Sequence, residues 1–340
     1  MRAAIYTGGR RFEIQEIPVP EPGPGNVLVK VKYCGICGTD VHTFMYDVTP
    51  PGSQMGHEYC GTIAALGEGV EEWDVGDSVI GGGGVPPKDY VDPFSSDPRF
   101  NYRTMGPGRE PMWARGYAEF VEMEAWRPIP IPEGVSDEAA AMAEPLATAV
   151  HAVRRSSLKV GDSVAVLGAG PIGLFTMQVA RAAGASRVLV AEPAPARSAA
   201  ARALGADAVV DPTETDVEEA FADLTDGKGP DVAFECAAAR GTLDDALRTV
   251  RMGGNVTLVS LAWEATALNP VDWIAREINF TTSFIYEPDD WRIGLELVAR
   301  GLVRVEPLMA DGAVIGLDDL QATFERLMNP STDIKVLLAP

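Results

Sequence analysis

The chain has 340 residues, of which 46% are hydrophobic, enough for about two domains with buried cores that need no disulfides. Its 49 acidic and 28 basic residues give a formal charge of −21, which argues against nucleic acid as a partner because phosphate backbones bind basic surfaces. The apolar runs are too short for a membrane span, no secretory signal is visible at the N-terminus, and four cysteines are too few for a disulfide scaffold. These features predict a cytoplasmic protein with reduced thiols and no membrane partner.

Residues 1–135 predict a β-rich domain of short strands, arranged as a partly closed barrel. The segment is rich in glycine, proline and β-branched residues, and turn signals separate its apolar runs. A proline-rich stretch at 81–115 has no periodicity, which is typical of a functional loop. The predicted strands are Arg2–Tyr6, Phe12–Ile17, Val27–Tyr33, Cys60–Leu66 and Asp77–Ile80.

The segment after residue 135 predicts a change to helices. Ser136 is a suitable N-cap for a first helix. Pro145 disfavours a helical conformation for the residue before it. We therefore expect a break between two helical pieces at Glu144.

From Lys159 onward, predicted strands and helices alternate, which is typical of a doubly wound parallel sheet in an α/β domain. The predicted strands are Ser163–Leu167, Arg187–Ala191, Ala208–Val210, Asp231–Cys236, Val256–Ser260 and Asn279–Ile285, and the clearest helices are Pro171–Ala183 and Asp290–Arg300.

The glycine-rich sequence Gly168-Ala-Gly170-Pro171-Ile172-Gly173 lies directly between a predicted strand and a predicted helix, as in dinucleotide-binding folds. The first glycine permits a tight turn, the second lets the backbone approach a pyrophosphate, and the third lets helix and strand pack closely. The helix N-terminus then offers free N–H groups to the phosphates. A glycine turn in an ordinary α/β unit is the alternative.

An acidic residue in the expected place favours the dinucleotide site over that alternative. Glu192 ends the next strand, 19 residues after Gly173, where a carboxylate accepts hydrogen bonds from the adenosine ribose. It would repel a 2′-phosphate, so NAD is favoured over NADP. Arg197 is close enough to complicate this preference, or it flanks the adenine. Val259 and Ser260 complete the predicted cofactor site.

Two segments of the first domain combine cysteine, histidine and carboxylate side chains: CGICGTDVH at 34–42 and GHEYC at 56–60. Cysteine, histidine and a carboxylate around one open position make a catalytic zinc site. Cys34 and Cys37 alone could also be a redox pair or half of a structural zinc knuckle. Neither alternative fits well, because no second C-x-x-C is present.

In order and spacing, these motifs resemble those of the zinc-dependent medium-chain alcohol dehydrogenases, above all the sorbitol and polyol dehydrogenase branch. The resemblance rests on CGICGTDVH, GHExxG, Glu-Pro-Leu at 144–146, GAGPIG and DVAFEC at 231–236, and it covers nearly the whole chain. It implies a GroES-like catalytic domain at 1–148, completed by 287–340, and a Rossmann NAD-binding domain at 149–286.

The resemblance also implies the ligands of one catalytic zinc. Cys37 supplies the thiolate and His57 the imidazole, and Glu144 occupies the third position. Glu58, which follows the ligand histidine, either stays beside the metal or exchanges onto it.

Three residues of CGICGTDVH would support the chemistry. Asp40 resembles the carboxylate that orients the ligand histidine, Thr39 the hydroxyl that touches the substrate oxygen, and His42 the outer end of a proton relay. Zinc can lower the pKa of a bound oxygen to about 7, so the alcohol can lose its proton as hydride passes to the nicotinamide.

Members of this family often carry a second, structural zinc held by four cysteines, and they form dimers or tetramers. The corresponding window here, 81–115, contains no cysteine, so we expect one zinc per chain and no structural zinc. A homodimer or homotetramer is expected from the resemblance alone.

The substrate is expected to be a small alcohol, oxidised to a ketone. Ile285 stands where the polyol branch has an arginine, and apolar walls leave the hydroxyls of a polyol unpaired. We therefore expect an apolar, bulky or cyclic secondary alcohol, with a vicinal diol second and a polyol third. The predicted pocket residues are Phe44, Tyr46, Trp113, Phe284 and Ile285.

Two other classes compete with this prediction. A non-catalytic cofactor-binding relative would be expected to have lost ligands, which this chain retains. A zinc-free reductase of the same superfamily would lack Cys37 and His57.

Overall fold

The computed structural model describes residues 1–88, 115–262, 264–328 and 333–340. These residues form two compact units: Met1–Glu144 together with Met309–Pro340, and Pro145–Leu308. Most of the predicted loop at 81–115 lies outside the described residues, and so does Trp113 of the predicted pocket.

The strands and helices alternate in the second unit, whereas strands dominate the first. The strands are β1 (Arg2–Tyr6), β2 (Phe12–Glu16), β3 (Asn26–Gly35), β4 (Ser53–Gln54), β5 (Glu58–Leu66), β6 (Ser78–Ile80), β7 (Phe120–Glu124), β8 (Ile129–Pro130), β9 (Ser163–Leu167), β10 (Arg187–Ala191), β11 (Ala208–Val210), β12 (Val232–Glu235), β13 (Asn255–Leu258), β14 (Asn279–Thr282), β15 (Val314–Gly316) and β16 (Leu337–Ala339). The helices are α1 (Gly38–Met45), α2 (Asp137–Ala141), α3 (Ala143–Arg155), α4 (Pro171–Ala182), α5 (Pro195–Ala203), α6 (Val217–Asp223), α7 (Thr242–Thr249), α8 (Pro270–Ala275), α9 (Pro288–Ala299) and α10 (Leu320–Leu327).

The first unit is built from two mainly antiparallel sheets. A small sheet has the order β2-β1-β4, and a larger one has the order β15-β16-β3-β5-β6-β8, with β7 also paired to β3. The C-terminal strand β16 pairs with the end of β3, so the tail of the chain returns to the first unit.

Aromatic side chains form the centre of the first unit. Phe12 stacks on Phe44 with a centroid distance of 5.3 Å, and Phe324 of α10 lies 5.1 Å from Phe44. Tyr6 makes an edge contact with Phe44 at 5.9 Å. These fully or nearly buried rings pack around Phe44 of α1 and so fix the position of this helix, which carries several candidate site residues.

The second unit is a parallel six-stranded sheet with the order β11-β10-β9-β12-β13-β14, the doubly wound order of dinucleotide-binding folds. The central strands are apolar along their length because helices cover both faces of such a sheet. The α/β prediction for this half is confirmed, with most strands within two residues of their expected bounds.

The helical break lies two residues earlier than expected. α2 ends before Met142 and α3 begins at Ala143, so Glu144 and Pro145 fall in the first turn of α3. A proline there costs little because the first N–H groups of a helix have no intrahelical partner.

The segment 287–308 belongs to the second unit, not to the first as predicted. Its helix α9 packs against α4, and a Cβ at Gly294 would lie 2.9 Å from Leu146 of α3. This close packing keeps α9 in the second unit, and the chain returns to the first only at Met309.

Candidate active site

The candidate metal site lies in the first unit, where the end of β3 meets the start of β5. In this antiparallel pair Gly35 is opposite Glu58. Cys37 lies just beyond the end of β3 and His57 just before β5, so the pairing brings them together. A ligand atom of Cys37, one of His57 and one of Glu58 lie within 4.8 Å of one another, the one such cluster in the described part of the chain. Thiolate, imidazole and carboxylate donors suit zinc and leave a fourth position open.

Cys37 is held by the start of α1, of which it is the N-cap. Its sulfur accepts a hydrogen bond from the N–H of Thr39 at 3.4 Å. Burial and the charge of Glu58 raise the pKa of the Cys37 thiol, whereas His57 lowers it. A helix N-terminus stabilises a thiolate, which is the form of cysteine that binds a metal. The position of Cys37 at the start of α1 therefore places its sulfur at the cluster and favours the thiolate.

His57 is positioned by a chain of buried polar groups. Its Nδ1 lies 3.7 Å from a carboxylate oxygen of Asp40, beyond ordinary hydrogen-bond length, and Asp40 is 2% exposed. The Tyr117 hydroxyl donates to the other oxygen of Asp40 at 2.6 Å. Burial opposes protonation of His57, but the charges of Asp40 and Cys37 outweigh it and raise the imidazole pKa well above its usual value. With Nδ1 facing Asp40, the other ring nitrogen could bind a metal ion.

Glu58 is tied to the C-terminal tail by a buried ion pair with Lys335, in which both side chains are 1% exposed. The ammonium group of Lys335 also donates to the carbonyl of Ile36 at 3.0 Å. Burial lowers the pKa of Lys335, but the charges of Glu58 and Cys37 outweigh it and raise the pKa above its usual value. A Cβ at Gly35 would lie 2.2 Å from a carboxylate oxygen of Glu58, so only glycine leaves room for this pair.

Glu144 interacts electrostatically with the charges of His57, Glu58 and Lys335 but lies outside the three-residue cluster. Burial is the main reason that its pKa rises to about 7; the charge of Glu58 raises it further, whereas His57 and Lys335 lower it. The resemblance implies Glu144 as third ligand with Glu58 beside it, whereas among the described residues the geometry gathers Glu58 with Cys37 and His57.

Thr39 and His42 lie one turn apart on α1, both half-buried. Residues three apart on a helix are neighbours on one face. Burial lowers the pKa of His42 below its usual value of 6.5, which favours the neutral imidazole near pH 7. The ring of His42 lies nearly parallel to that of Tyr46, with centroids 6.5 Å apart.

The described residues of the predicted substrate pocket differ in their burial. The assignment of Phe44 is wrong: this ring is fully buried in the aromatic core of the first unit, because it lies on the inner face of α1. Tyr46, in the first unit, is 45% exposed, and Phe284, in the second, is 38% exposed. The strand that was predicted to reach Ile285 ends at Thr282. Ile285 has a left-handed backbone with φ +58°, a strained conformation for a β-branched residue.

The glycine-rich turn of the second unit has the geometry that a dinucleotide requires. Gly168 has φ +95°, and a Cβ at Gly173 would lie 1.9 Å from the carbonyl oxygen of Gly168. Gly170 has open space around it and is the N-cap of α4, followed by Pro171, with no side chain capping the helix. The first N–H groups of α4, those of Ile172 and Gly173, therefore remain for an anionic ligand.

Glu192 lies beside this turn, as predicted. Its carboxylate accepts hydrogen bonds from the N–H of Ala169 at 2.7 Å and of Ala194 at 2.8 Å. A carboxylate has about four acceptor positions, so capacity for ribose hydroxyls remains. Arg197 on α5 has a buried Nε that lacks a hydrogen-bond partner among the described residues.

Val259 and Ser260 follow the end of β13, and both of their N–H groups donate to the carbonyl of Glu235. The hydroxyl of Ser260 donates to the Glu235 carboxylate. Ser260 is thus anchored to the neighbouring strand rather than free.

Sequence reasoning missed Lys335 and Tyr117. Lys335 carried a signal, because it is a lone charge in the apolar sequence IKVLLA at 334–339 and buried lysines are rare unless paired. Tyr117 carried none, since nothing in its neighbours predicts that its hydroxyl reaches Asp40. His151 of α3 pairs with Asp290 at 2.8 Å within the second unit.

Two family models match the chain. Residues 23–133 match the alcohol dehydrogenase GroES-like domain, and residues 171–300 match the zinc-binding dehydrogenase model.

Relatives of known function or structure cover the full chain. The (R,R)-butanediol dehydrogenase of Bacillus subtilis is 32% identical over 356 residues, covering 100% of both chains. A sorbitol dehydrogenase of Halalkalibacterium halodurans is 33% identical and covers 100% of this chain and 99% of its own. The crystal structure of a putative zinc-binding dehydrogenase from Sinorhizobium meliloti 1021, bound to NADP, matches with a TM-score of 0.84 and 31% identity, covering 100% of this chain and 99% of that one. No helix in the described part of the chain is long and apolar enough to cross a bilayer.

Proposed function

Because the chain belongs to the zinc-dependent medium-chain alcohol dehydrogenases, oxidoreductases that act on CH–OH groups, we propose that it oxidises a secondary alcohol to a ketone and transfers the hydride to NAD. The observation that carries the proposal is the cluster of Cys37, His57 and Glu58, whose ligand atoms lie within 4.8 Å of one another. Its donor set fits one catalytic zinc.

Cys37 and His57 would hold the metal, with Glu58 as third ligand and Glu144 close by. A zinc ion there would supply a Lewis acid that polarises a substrate oxygen and lowers its pKa. Asp40 orients His57, and Lys335 limits the movement of Glu58. The absence of cysteine from 81–115 supports one zinc per chain.

Thr39 and His42 would carry the alcohol proton away from the site. A threonine hydroxyl can accept one proton while it donates another, and His42 lies on the next turn of α1. Because burial lowers the pKa of His42, its neutral ring can take up the proton near pH 7.

The second unit would bind the cofactor at the uncapped N-terminus of α4. The N–H groups of Ile172 and Gly173 would donate to the pyrophosphate, and the open space at Gly170 would allow its approach. Glu192 supports NAD over NADP, because a buried carboxylate opposes a 2′-phosphate.

An apolar, bulky or cyclic secondary alcohol is the first candidate substrate. Phe284 and Ile285 support it, because neither offers a hydrogen bond to a polyhydroxyl chain. A vicinal diol is the second candidate, and the likeness to a butanediol dehydrogenase favours it. The two share the same chemistry at the reacting carbon.

A homodimer or homotetramer in the cytoplasm is the proposed working form. β14 is an edge strand of the parallel sheet, and α8 beside it exposes Val271 and Ile274. Exposed strand edges and apolar patches favour association. The cysteines are free thiols, which suits a reducing compartment.

The first test is NADH formation by the purified protein with a panel of alcohols, each with and without a zinc chelator. The panel contains cyclic and terpenoid secondary alcohols, butanediol, sorbitol and primary alcohols. Chelator-sensitive turnover, highest with apolar secondary alcohols, is expected. Turnover that persists in a metal-free protein contradicts the zinc mechanism.

The panel also separates the alternatives. Preference for butanediol or sorbitol retains the mechanism but contradicts the apolar pocket. The variant Ile285→Arg should gain polyol activity over the unaltered protein, and no gain counts against placing Ile285 at the substrate. A protein that binds NAD and zinc but oxidises nothing would be the non-catalytic relative.

A further inference from the structure

Glu235, the last residue of β12, has a buried carboxylate that accepts four hydrogen bonds. One oxygen accepts from the N–H groups of Ala237 at 2.9 Å and Ala238 at 3.0 Å and from the Thr242 hydroxyl at 2.8 Å. The Ala239 carbonyl, also 2.8 Å from that hydroxyl, is a weaker competing acceptor because it carries no charge. The other oxygen accepts from the Ser260 hydroxyl. Glu235 is 1% exposed and forms no ion pair within the described residues, so these neutral donors replace the water that a buried carboxylate loses.

These four bonds join two loops at the same edge of the sheet. Ala237, Ala238 and Thr242 belong to the connection from β12 to α7, and Ser260 follows β13. β12 lies between β9 and β13, and all three strands are parallel. Ligands of doubly wound sheets bind outside the carboxyl ends of the strands, so Glu235 lies beneath that edge.

The loop that Glu235 holds also packs against the glycine-rich turn after β9. A Cβ at Gly168 would lie 2.8 Å from the Cβ of Ala237, so the two loops are in close contact. Ala238 has φ +54°, a conformation that non-glycine residues rarely adopt and that persists only when surrounding contacts hold it. The bond from its N–H to Glu235 is one such contact.

We propose that Glu235 is a positioning residue for the dinucleotide: its carboxylate holds the β12–α7 loop and Ser260 in the shape that the cofactor contacts. The inference rests on the proposed function, because it assumes that a nicotinamide dinucleotide binds at this edge. It assigns a task to a residue that touches neither the zinc cluster nor the N-terminus of α4.

The test compares Glu235→Ala with Asp231→Ala in the full-length protein. Asp231 directly precedes the same strand, at its amino end, and accepts from the N–H and hydroxyl of Ser163, each at 2.8 Å, and from Arg251 at 2.6 Å. Both variants remove a carboxylate that ties β12 to its surroundings, but only Glu235 lies at the ligand edge.

NAD affinity is measured by calorimetry and stability by urea unfolding. Glu235→Ala should weaken NAD binding by about 100-fold, because a displacement of about 1 Å in a group that positions a ligand costs on that order. Asp231→Ala should lower the urea midpoint with NAD affinity unchanged. Glu235→Gln should recover most of the affinity, since its amide oxygen still accepts and its NH₂ can donate to Ser260.

Equal NAD affinity in Glu235→Ala and the unaltered protein overturns the proposal, as does an equal loss of affinity in Asp231→Ala. If Glu235→Ala does not fold, Thr242→Val decides: it removes one of the four bonds, should weaken NAD binding measurably, and overturns the proposal if it does not. An unaltered protein that fails to bind NAD contradicts the proposed function instead.

Discussion

The two candidate sites, one in each unit, are built in different ways. In the first unit, side chains supply the chemistry: Cys37, His57 and Glu58 come from two separate segments, and Lys335 comes from the tail. In the second unit, the backbone supplies it through the N–H groups of one turn between β9 and α4. The side-chain cluster depends on long-range packing and buried charge, whereas the turn depends on a few adjacent glycines.

This difference predicts which substitutions separate metal binding from cofactor binding. A change in the cluster should remove zinc and leave NAD affinity unchanged. A change in the turn should do the reverse.

The largest effect is expected from Cys37→Ser. Without its thiolate the cluster should lose zinc, and the rate of alcohol oxidation should fall by on the order of 10³-fold, since a Lewis acid contributes several kcal/mol. Metal analysis and NADH formation measure both, with NAD affinity as the internal reference. Cys60→Ser is the matched control, because that thiol bonds the carbonyl of Asp137 outside the cluster. Full zinc content in Cys37→Ser would disprove its role as a ligand.

The variant Lys335→Met should strongly destabilise the first unit. It leaves the charge of Glu58 buried without its partner, and breaking such a pair costs about 3–5 kcal/mol. Urea unfolding measures the loss, and adding Glu58→Gln to the same chain should restore part of it. Lys32→Met is the control, because its pair with Asp137 is largely exposed and worth about 1 kcal/mol or less. Similar losses for the two lysine variants would contradict a special contribution from the buried pair.

Gly170→Ala should weaken NAD binding by about 100-fold while the free protein stays equally stable. The backbone at Gly170 suits alanine, with φ −69°, and no atom lies within 4 Å of the added Cβ, so only the approach of a pyrophosphate is blocked. Calorimetry with NAD and urea unfolding measure the two quantities. Gly316→Ala is the control, an equally open N-cap glycine in the first unit. Unchanged NAD affinity would place the pyrophosphate elsewhere.

Tyr117→Phe should weaken zinc binding by about tenfold, because groups around the ligands of a metal tune its affinity on this scale. The change removes only the hydroxyl that donates to Asp40. Competition with a chromophoric chelator measures the affinity. Tyr6→Phe is the control, since the Tyr6 ring lies in the same core but its hydroxyl donates to the exposed Asp47. Equal zinc affinity in both variants would show that Tyr117 is structural only.

The substitution of His42 should change the activity least at neutral pH, because its effect depends on the protonation state of the imidazole. Burial lowers its pKa, so the base is neutral above that value and activity should fall, about tenfold per pH unit, only below pH ~6.5. The pH profile of kcat/KM measures this acid limb, and His42→Gln should remove it. A limb above pH 6.5 that survives the substitution would assign the titration to another group.

The glycine-rich turn of the second unit was predicted from the sequence more completely than the side-chain cluster of the first unit. The turn at 168–173 was predicted with its neighbours and the role of each glycine, because an adjacent strand and helix constrain it locally. In the cluster, the motifs predicted Cys37 and His57, but not the contact of Lys335 with Glu58. Phe44 was misassigned because nothing in the sequence indicates which face of α1 turns inward. The end of β14 was misplaced because the left-handed backbone of Ile285 is unfavourable for its residue type.

The sequence by itself determined the alternation of strands and helices, the dinucleotide turn and the residue types of a zinc site, since each depends on spacing within a short segment. Only the tertiary structure decided which carboxylate joins Cys37 and His57, which tyrosine holds Asp40, and that Glu235 ties together the loops at the ligand edge. Those contacts join residues far apart in the chain, and their partners are selected by burial: a charge or hydroxyl removed from water must find a donor or acceptor among whatever groups the fold brings near it.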